Sequence, residues 1–209
     1  GTAQANGFMG AFMRQNGIDG VIVQGAADKW TRIHIQDGRV RLLDAEHLIG
    51  KDTWETEDAV KEETEGRCSV YSIGPAGENL VRFAAIVGDR GHVAAHNGVG
   101  AVMGSKKIKC ISAVKGDVKP RVVDPETLVA KAKELTEFTR QVDPGLLQFG
   151  TNAGLVPLGA MGAVPMRNYT TNVWPEGNKY VPEYMREHFK SKPSACWACS
   201  HAHCRISEL

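Results

Sequence analysis

The sequence predicts an α+β fold: a β-rich part over residues 1–118, then a mainly helical segment over 119–209. Three observations carry this. Short β-branched runs recur before residue 118, each bounded by glycine, proline or asparagine turns. Helix signals interrupt them at a few points. From about Val118 onward the strand pattern stops and helix and loop take over, which puts a boundary near residues 115–125.

Phe8, Met9, Phe12 and Met13 lie on a helical spacing that Asn16-Gly17 ends. Val21-Ile22-Val23 reads as a strand. Thr31 to Ile35 alternates polar and apolar residues, and Asp37-Gly38 joins it to Arg39–Leu43 as a hairpin. Asp52-x-x-Glu55 is a capping box opening a helix to about Glu65. Then come a strand Cys68–Ile73, a turn Gly74-Pro75-Ala76-Gly77, a strand Leu80–Val87 and a loop ending at Asn97-Gly98. A small-residue helix Val99–Met103 leads into the strand Ile108–Val114. Asp124-Pro125 supplies an N-cap and a first-turn proline, after which Leu128, Ala132, Leu135 and Phe138 line one helix face. A further helix covers Pro182–Phe189.

Composition removes several function classes. No run approaches the roughly 18 apolar residues a membrane helix needs. Lys+Arg is 25 and Asp+Glu 24, a net charge of +1, so no basic footprint for nucleic acid is present. Glycine, at 23 residues, is about 11% of the chain against roughly 7% in typical proteins, which favours backbone-mediated binding. Five cysteines, three of them crowded near the end, do not make a disulfide framework. A reducing, cytoplasmic setting is expected.

Two constellations carry chemistry. Arg90 to Lys107 is dense in glycine and alanine, and such a stretch lets a ligand phosphate approach the backbone. It has neither the P-loop nor the dinucleotide spacing, and close packing of a glycine-rich helix on a sheet accounts for it equally well. Cys196, Cys199 and Cys204, with His201 and His203 between them, satisfy a zinc site or most of an iron–sulfur cluster. Locally zinc is slightly favoured, since no fourth cysteine is evident for a cluster. Ser72 to Ile86 reads as two strands joined by a rigid turn.

Taken in order, these segments resemble the aldehyde:ferredoxin oxidoreductase family of tungstopterin enzymes. Ser72–Leu80 and Gly98–Lys107 carry the resemblance almost letter for letter, with weaker similarity over Ala3–Gly10, Asp44–Gly50 and Gly150–Tyr169. The resemblance implies a base of two β-sheets beneath a metal held by two pterins, followed by helical domains. Its first pterin loop, Ala-Asn-Ser-Gly-Gly, falls on Ala3-Gln4-Ala5-Asn6-Gly7; Gln4 stands where an asparagine backbone oxygen helps bind Mg2+ between the pterin phosphates. The second, Arg-Ala-Ala-Gly-Arg, falls on His92-Val93-Ala94-Ala95-His96, with histidine at both arginine positions. The implied cofactor-binding set is Gln4, Asn6, Gly7, His92, Val93, Ala95 and His96. The implied ligands of a 4Fe-4S cluster are Cys196, Cys199 and Cys204, spaced Cys-x2-Cys-x4-Cys where the family has Cys-x2-Cys-x3-Cys.

The resemblance further implies oxidation of a small aldehyde to a carboxylic acid at tungstopterin or molybdopterin, with electrons passing to ferredoxin or a similar carrier. Reduction of an aromatic acyl thioester within the same family is the alternative, as is a non-catalytic zinc-binding fragment. No catalytic residue is assigned within these positions. The chain is expected to be an internal fragment or one chain of a split enzyme, inactive alone, with the missing domains, companion chains or a second copy in a homodimer as partners.

Overall fold

The computed structural model describes residues 1–173 and 175–208. They divide into two compact units, residues 1–121 and 122–209.

The first unit is built on one six-stranded sheet, ordered β2-β1-β6-β3-β4-β5. Its strands are β1 (Thr31–Gln36), β2 (Arg39–Asp44), β3 (Cys68–Ser72), β4 (Ile86–Gly88), β5 (His92–Ala94) and β6 (Ile108–Val114). β1 and β6 run parallel, and every other neighbouring pair is antiparallel. α1 (Met9–Gln15), α2 (Thr53–Glu62), α3 (Pro75–Glu78) and α4 (Val99–Ser105) complete the unit. Residues alternate between faces along a strand, so the sheet feeds two cores. Ile33, Ile35 and Ala113 pack with Phe12 of α1 and Met103 of α4. Cys68, Val70, Cys110 and Val114 pack with Val60 of α2 and Leu48. Fully burying each large apolar side chain contributes about 1.5–3 kcal/mol.

The local signals explain several elements directly. Asp52 accepts from Trp54 N and Glu55 N at 2.8 Å, and Glu55 accepts from Asp52 N at 2.9 Å, closing the capping box of α2. Asp37-Gly38 turns β1 into β2, both residues at positive φ.

The α+β expectation holds, with corrections in detail. The sheet base implied as two sheets is a single six-stranded one among the described residues of this unit. Val21-Ile22-Val23 is not a strand: no segment among the described residues pairs with it, and Ile22 is 89% exposed. Gly74–Gly77 is not a plain turn, because Pro75 at the first position starts the short helix α3. The strand expected over Leu80–Val87 shrinks to Ile86–Gly88, since Leu80 adopts φ +57° and Ala84 N turns back to Val81 O. His92–Ala94, expected as loop, pairs with β4 as the edge strand β5. α2 stops at Glu62, three residues before the expected end.

The second unit is mainly helical: α5 (Pro125–Val142), α6 (Pro144–Phe149), α7 (Leu155–Ala160) and α8 (Pro182–His188). Asp124 caps α5 through Thr127 N at 3.0 Å, which holds its carboxyl below the usual range. Strands were not expected here, yet β7 (Ser191–Pro193) and β8 (Arg205–Ser207) pair antiparallel, from Ser191↔Ser207 to Pro193↔Arg205. Runs of three residues are too short to show a period of two in the sequence.

Candidate functional site

The segment leading into α1 lies against the β4–β5 hairpin. Gly7 has φ +100°, and a Cβ there would sit 2.6 Å from Asp89 Oδ2, 3.1 Å from His92 Cδ2 and against the Tyr71 hydroxyl. Only glycine fits both that backbone angle and that space. The Tyr71 hydroxyl donates to Asn6 O. Asp89 Oδ2 accepts from Phe8 N and from Ser69 Oγ, both at 2.8 Å. Asn97 Nδ2 donates to Thr2 O at 2.7 Å. Residues 2–8 are thus tied to β3 and to residues 89–97, and the two segments anticipated as loops, around Gly7 and around His92, meet.

The hairpin turn opposes backbone preference. Asp89, Arg90 and Gly91 take φ of +45°, +62° and +123° in succession, and left-handed backbone costs a non-glycine residue roughly 1–2 kcal/mol. Glu57 of α2, itself buried, accepts from Arg90 N at 3.0 Å and from Lys61 Nζ at 2.5 Å. The Arg90 guanidinium pairs with Asp58 and lies 5.2 Å from the Trp54 ring centroid. Helix α2 therefore holds the turn that aims His92–His96.

Of the anticipated cofactor-binding residues, His92 is buried beside Gly7, which is itself half-buried, while Gln4, Asn6, Val93, Ala95 and His96 are exposed. The exposed set is small or flexible and leaves main-chain groups accessible, which suits a phosphate-bearing ligand. Tyr71, Ser69, Asp89 and Glu57 escaped the sequence reading. A signal was there: Gly88-Asp89-Arg90-Gly91 sits between two short β-prone pairs, a hairpin pattern.

In the second unit, β7 and β8 bracket residues 194–204, so the cysteines share one closed loop. Ser194 N donates to Cys204 O at 2.8 Å, Cys199 N to Cys196 O at 3.2 Å and Thr151 N to His203 O at 3.2 Å. All three thiols are half-buried. Burial first, then the neighbouring Cys196 and Cys199 thiols, push the Cys204 thiol up. Cys204 Sγ is 3.6 Å from His203 Nδ1. No three His, Cys, Asp or Glu side chains among the described residues are placed to hold one metal ion. The donor set fits three corners of an iron–sulfur cluster by type and by grouping. Cys68 and Cys110 belong to the other unit's core, where burial raises their thiols to about 11 and about 12; thiols so reluctant to ionise are poor ligands.

The family description "Aldehyde ferredoxin oxidoreductase, N-terminal domain" matches residues 1–116, and "Aldehyde ferredoxin oxidoreductase, domains 2 & 3" matches residues 127–209. The chain belongs to the aldehyde ferredoxin oxidoreductase family. It is 37% identical over 212 aligned residues to the tungsten-containing aldehyde ferredoxin oxidoreductase of Thermococcus kodakarensis and 35% identical to that of Pyrococcus furiosus, covering 99% of this chain and 35% of each relative. The chain thus spans about a third of the length of these aldehyde ferredoxin oxidoreductases. A Pyrococcus furiosus aliphatic sulfonate oxidoreductase, WOR-like subunit, is 31% identical over 77% of the chain and 28% of its own length. In fold, the chain is similar to the active site complex BamBC of benzoyl coenzyme A reductase solved with 1,5-dienoyl-CoA. The TM-score is 0.79 at 22% identity, over 99% of this chain and 34% of that one. No helix among the described residues is long and apolar enough to cross a membrane.

Proposed function

We propose that this chain supplies the pterin-holding part and the cluster-holding loop of a tungsten- or molybdenum-bis-pterin oxidoreductase. The enzyme oxidises a small aldehyde to a carboxylic acid and passes electrons through a 4Fe-4S cluster to ferredoxin or a similar carrier. The observation that carries the reading is the meeting of the Gly7 and His92 segments at the positions of the family's two pterin loops. Kinship to relatives named as tungsten-containing aldehyde ferredoxin oxidoreductases supports it, and five cysteines without a disulfide suit a reducing, cytoplasmic setting.

In this reading Gln4, Asn6, Gly7, Val93 and Ala95 offer main-chain groups to the pterin phosphates, with Mg2+ held at the backbone oxygen of Gln4. His92 and His96 stand beside them, and a protonated imidazole there donates a charge-assisted hydrogen bond to phosphate. Cys196, Cys199 and Cys204 supply thiolates to the cluster. When bound, these groups supply the two-electron oxidation and the one-electron relay. The chain's own task is to bind, orient and shield them.

Reconstitution of the full chain with iron, sulfide, tungstate and pterin, followed by metal analysis and visible spectroscopy, tests this. Tungsten together with iron and a broad brown absorbance is the expected outcome. A colourless chain that takes up only zinc would replace the reading with that of a zinc-binding fragment.

A further inference from the structure

Asp89 has one carboxylate oxygen that serves both sides of the candidate cradle. Its Oδ2 takes the Phe8 amide at 2.8 Å, at the exit of the first loop, and the buried Ser69 hydroxyl at 2.8 Å, on β3. Its own amide donates to Val70 O at 3.2 Å, fixing the residue to the sheet. The same oxygen is the atom that a Cβ at Gly7 would meet at 2.6 Å, and three residues on, His92 Cδ2 would meet that Cβ at 3.1 Å. Phe8, the residue that precedes α1, makes no side-chain cap for the helix, and its own amide is held by this distant carboxylate.

We propose that Asp89 is a positioning residue that sets the gap between the Gln4–Gly7 and His92–His96 segments, and thereby their grip on the pterin phosphates; this rests on the cofactor reading above. It acts through Phe8 N and Ser69 Oγ. Its carboxylate turns two segments more than eighty positions apart into one surface of fixed spacing, and a ligand bound across such a surface does not have to bear the cost of ordering it. The strained turn over Asp89–Gly91 is held in the arrangement that makes this reach.

Two readouts on the full chain test the role, one of them independent of any cofactor. The first is amide exchange at Phe8: Asp89→Ala is expected to speed it at least tenfold while Ile33 and Ile111 amides stay protected. The second is pterin retained per chain after reconstitution and gel filtration, expected to fall at least tenfold with iron per chain unchanged, while the protected Ile33 and Ile111 amides separate this from mere loss of stability of the first unit. Asp89→Asn keeps an acceptor oxygen and is expected to return both readouts to within about threefold of the parent. Should Asp89→Ala fail to fold, Asp89→Ser, whose side chain is too short to reach Phe8 N, takes its place. Unchanged Phe8 exchange overturns the clamp. Released Phe8 with ordinary pterin retention overturns the positioning role alone. A parent chain that retains no pterin overturns the cofactor reading, and with it the role, while the Phe8 readout still reports whether the hydrogen bond exists.

Discussion

Residues 1–121 cover their sheet on both faces, with Phe12, Ile35, Leu48, Val60, Val70 and Ile73 almost wholly buried. In residues 122–208 only Gly150 and Pro182 are buried among the described residues, and α5 has no buried residue along its 18 positions. One unit carries its own core and uses it to aim two segments at each other. The other holds its cysteine loop by a three-residue hairpin and a few main-chain hydrogen bonds. The difference teaches where order comes from at each candidate site. Around Gly7 and His92 it is built in by Asp89, Tyr71 and Glu57. Around the cysteines, on the proposed reading, much of it is contributed by the metal group that the thiolates bind, as happens when ligation and folding are coupled.

The strongest way to break this contrast is to attack the first unit's interior. Lys109 Nζ, fully buried, donates to Glu78 Oε1 at 2.5 Å and to Lys51 O at 2.8 Å, while the Glu78 carboxylate also accepts from Gly50 N at 3.0 Å. Lys109→Met leaves Glu78 without its cation and should cost about 4 kcal/mol in urea unfolding followed by tryptophan fluorescence. A loss under 1 kcal/mol would show that this interior is looser than described. Next come paired glycine substitutions. A Cβ on Gly100 would lie 2.5 Å from Ala85 O and 2.7 Å from Ala84 O, all backbone, whereas one on Gly159 meets nothing within 4 Å. Gly100→Ala should destabilise by about 2–3 kcal/mol, and Gly159→Ala, in α7, should be neutral or stabilising by up to about 1 kcal/mol. Equal effects would erase the difference between the units.

Smaller effects sharpen it. Asp52→Ala removes the α2 cap and should cost about 1 kcal/mol by thermal denaturation, with a modest loosening of the Arg90 turn that α2 supports. The smallest effect concerns pH. His34 is buried in β1, with Nδ1 2.9 Å from Ser112 Oγ and Nε2 3.2 Å from Gln36 Oε1. Burial, chiefly, with Arg41 and Arg32 adding to it, holds its pKa below the usual 6.5, against the Gln36 hydrogen bond. The unfolded chain then binds more protons than the folded one once pH drops to about 6.5, so this contribution is complete above that value and is lost as pH falls below it. His34→Gln should flatten the pH dependence of unfolding between pH 7 and 5; an unchanged slope would remove His34 from the account.

What could be read from the sequence follows from the range of the interactions. The capping box at Asp52 and Glu55 and the Asp37-Gly38 hairpin are local chemistry, and both stand where expected. Val21-Ile22-Val23 has the composition of a strand, and Val21 and Val23 pack against the core, but no strand among the described residues pairs with it, and pairing is a long-range fact that composition does not encode. The same holds for the candidate site. Gly7 and His92 were legible as unusual positions on family-like segments, whereas Asp89 and Tyr71 look ordinary until the sheet brings them beneath Gly7. Three cysteines in nine residues were visible at once, yet their spatial arrangement depends on the ordering of a loop with little core behind it.

On the proposed reading the two units hold separate groups, a phosphate-bearing cofactor at Gly7 and His92 and a metal cluster at Cys196, Cys199 and Cys204. Iron and pterin per chain, measured after reconstitution of Cys199→Ser and Cys110→Ser beside the parent, test it most directly. Cys199→Ser should lose most of its iron and keep its pterin, and Cys110→Ser, altered in the core of the first unit, should keep its iron. Equal loss of iron in both variants, or pterin lost together with iron in Cys199→Ser, would contradict the account.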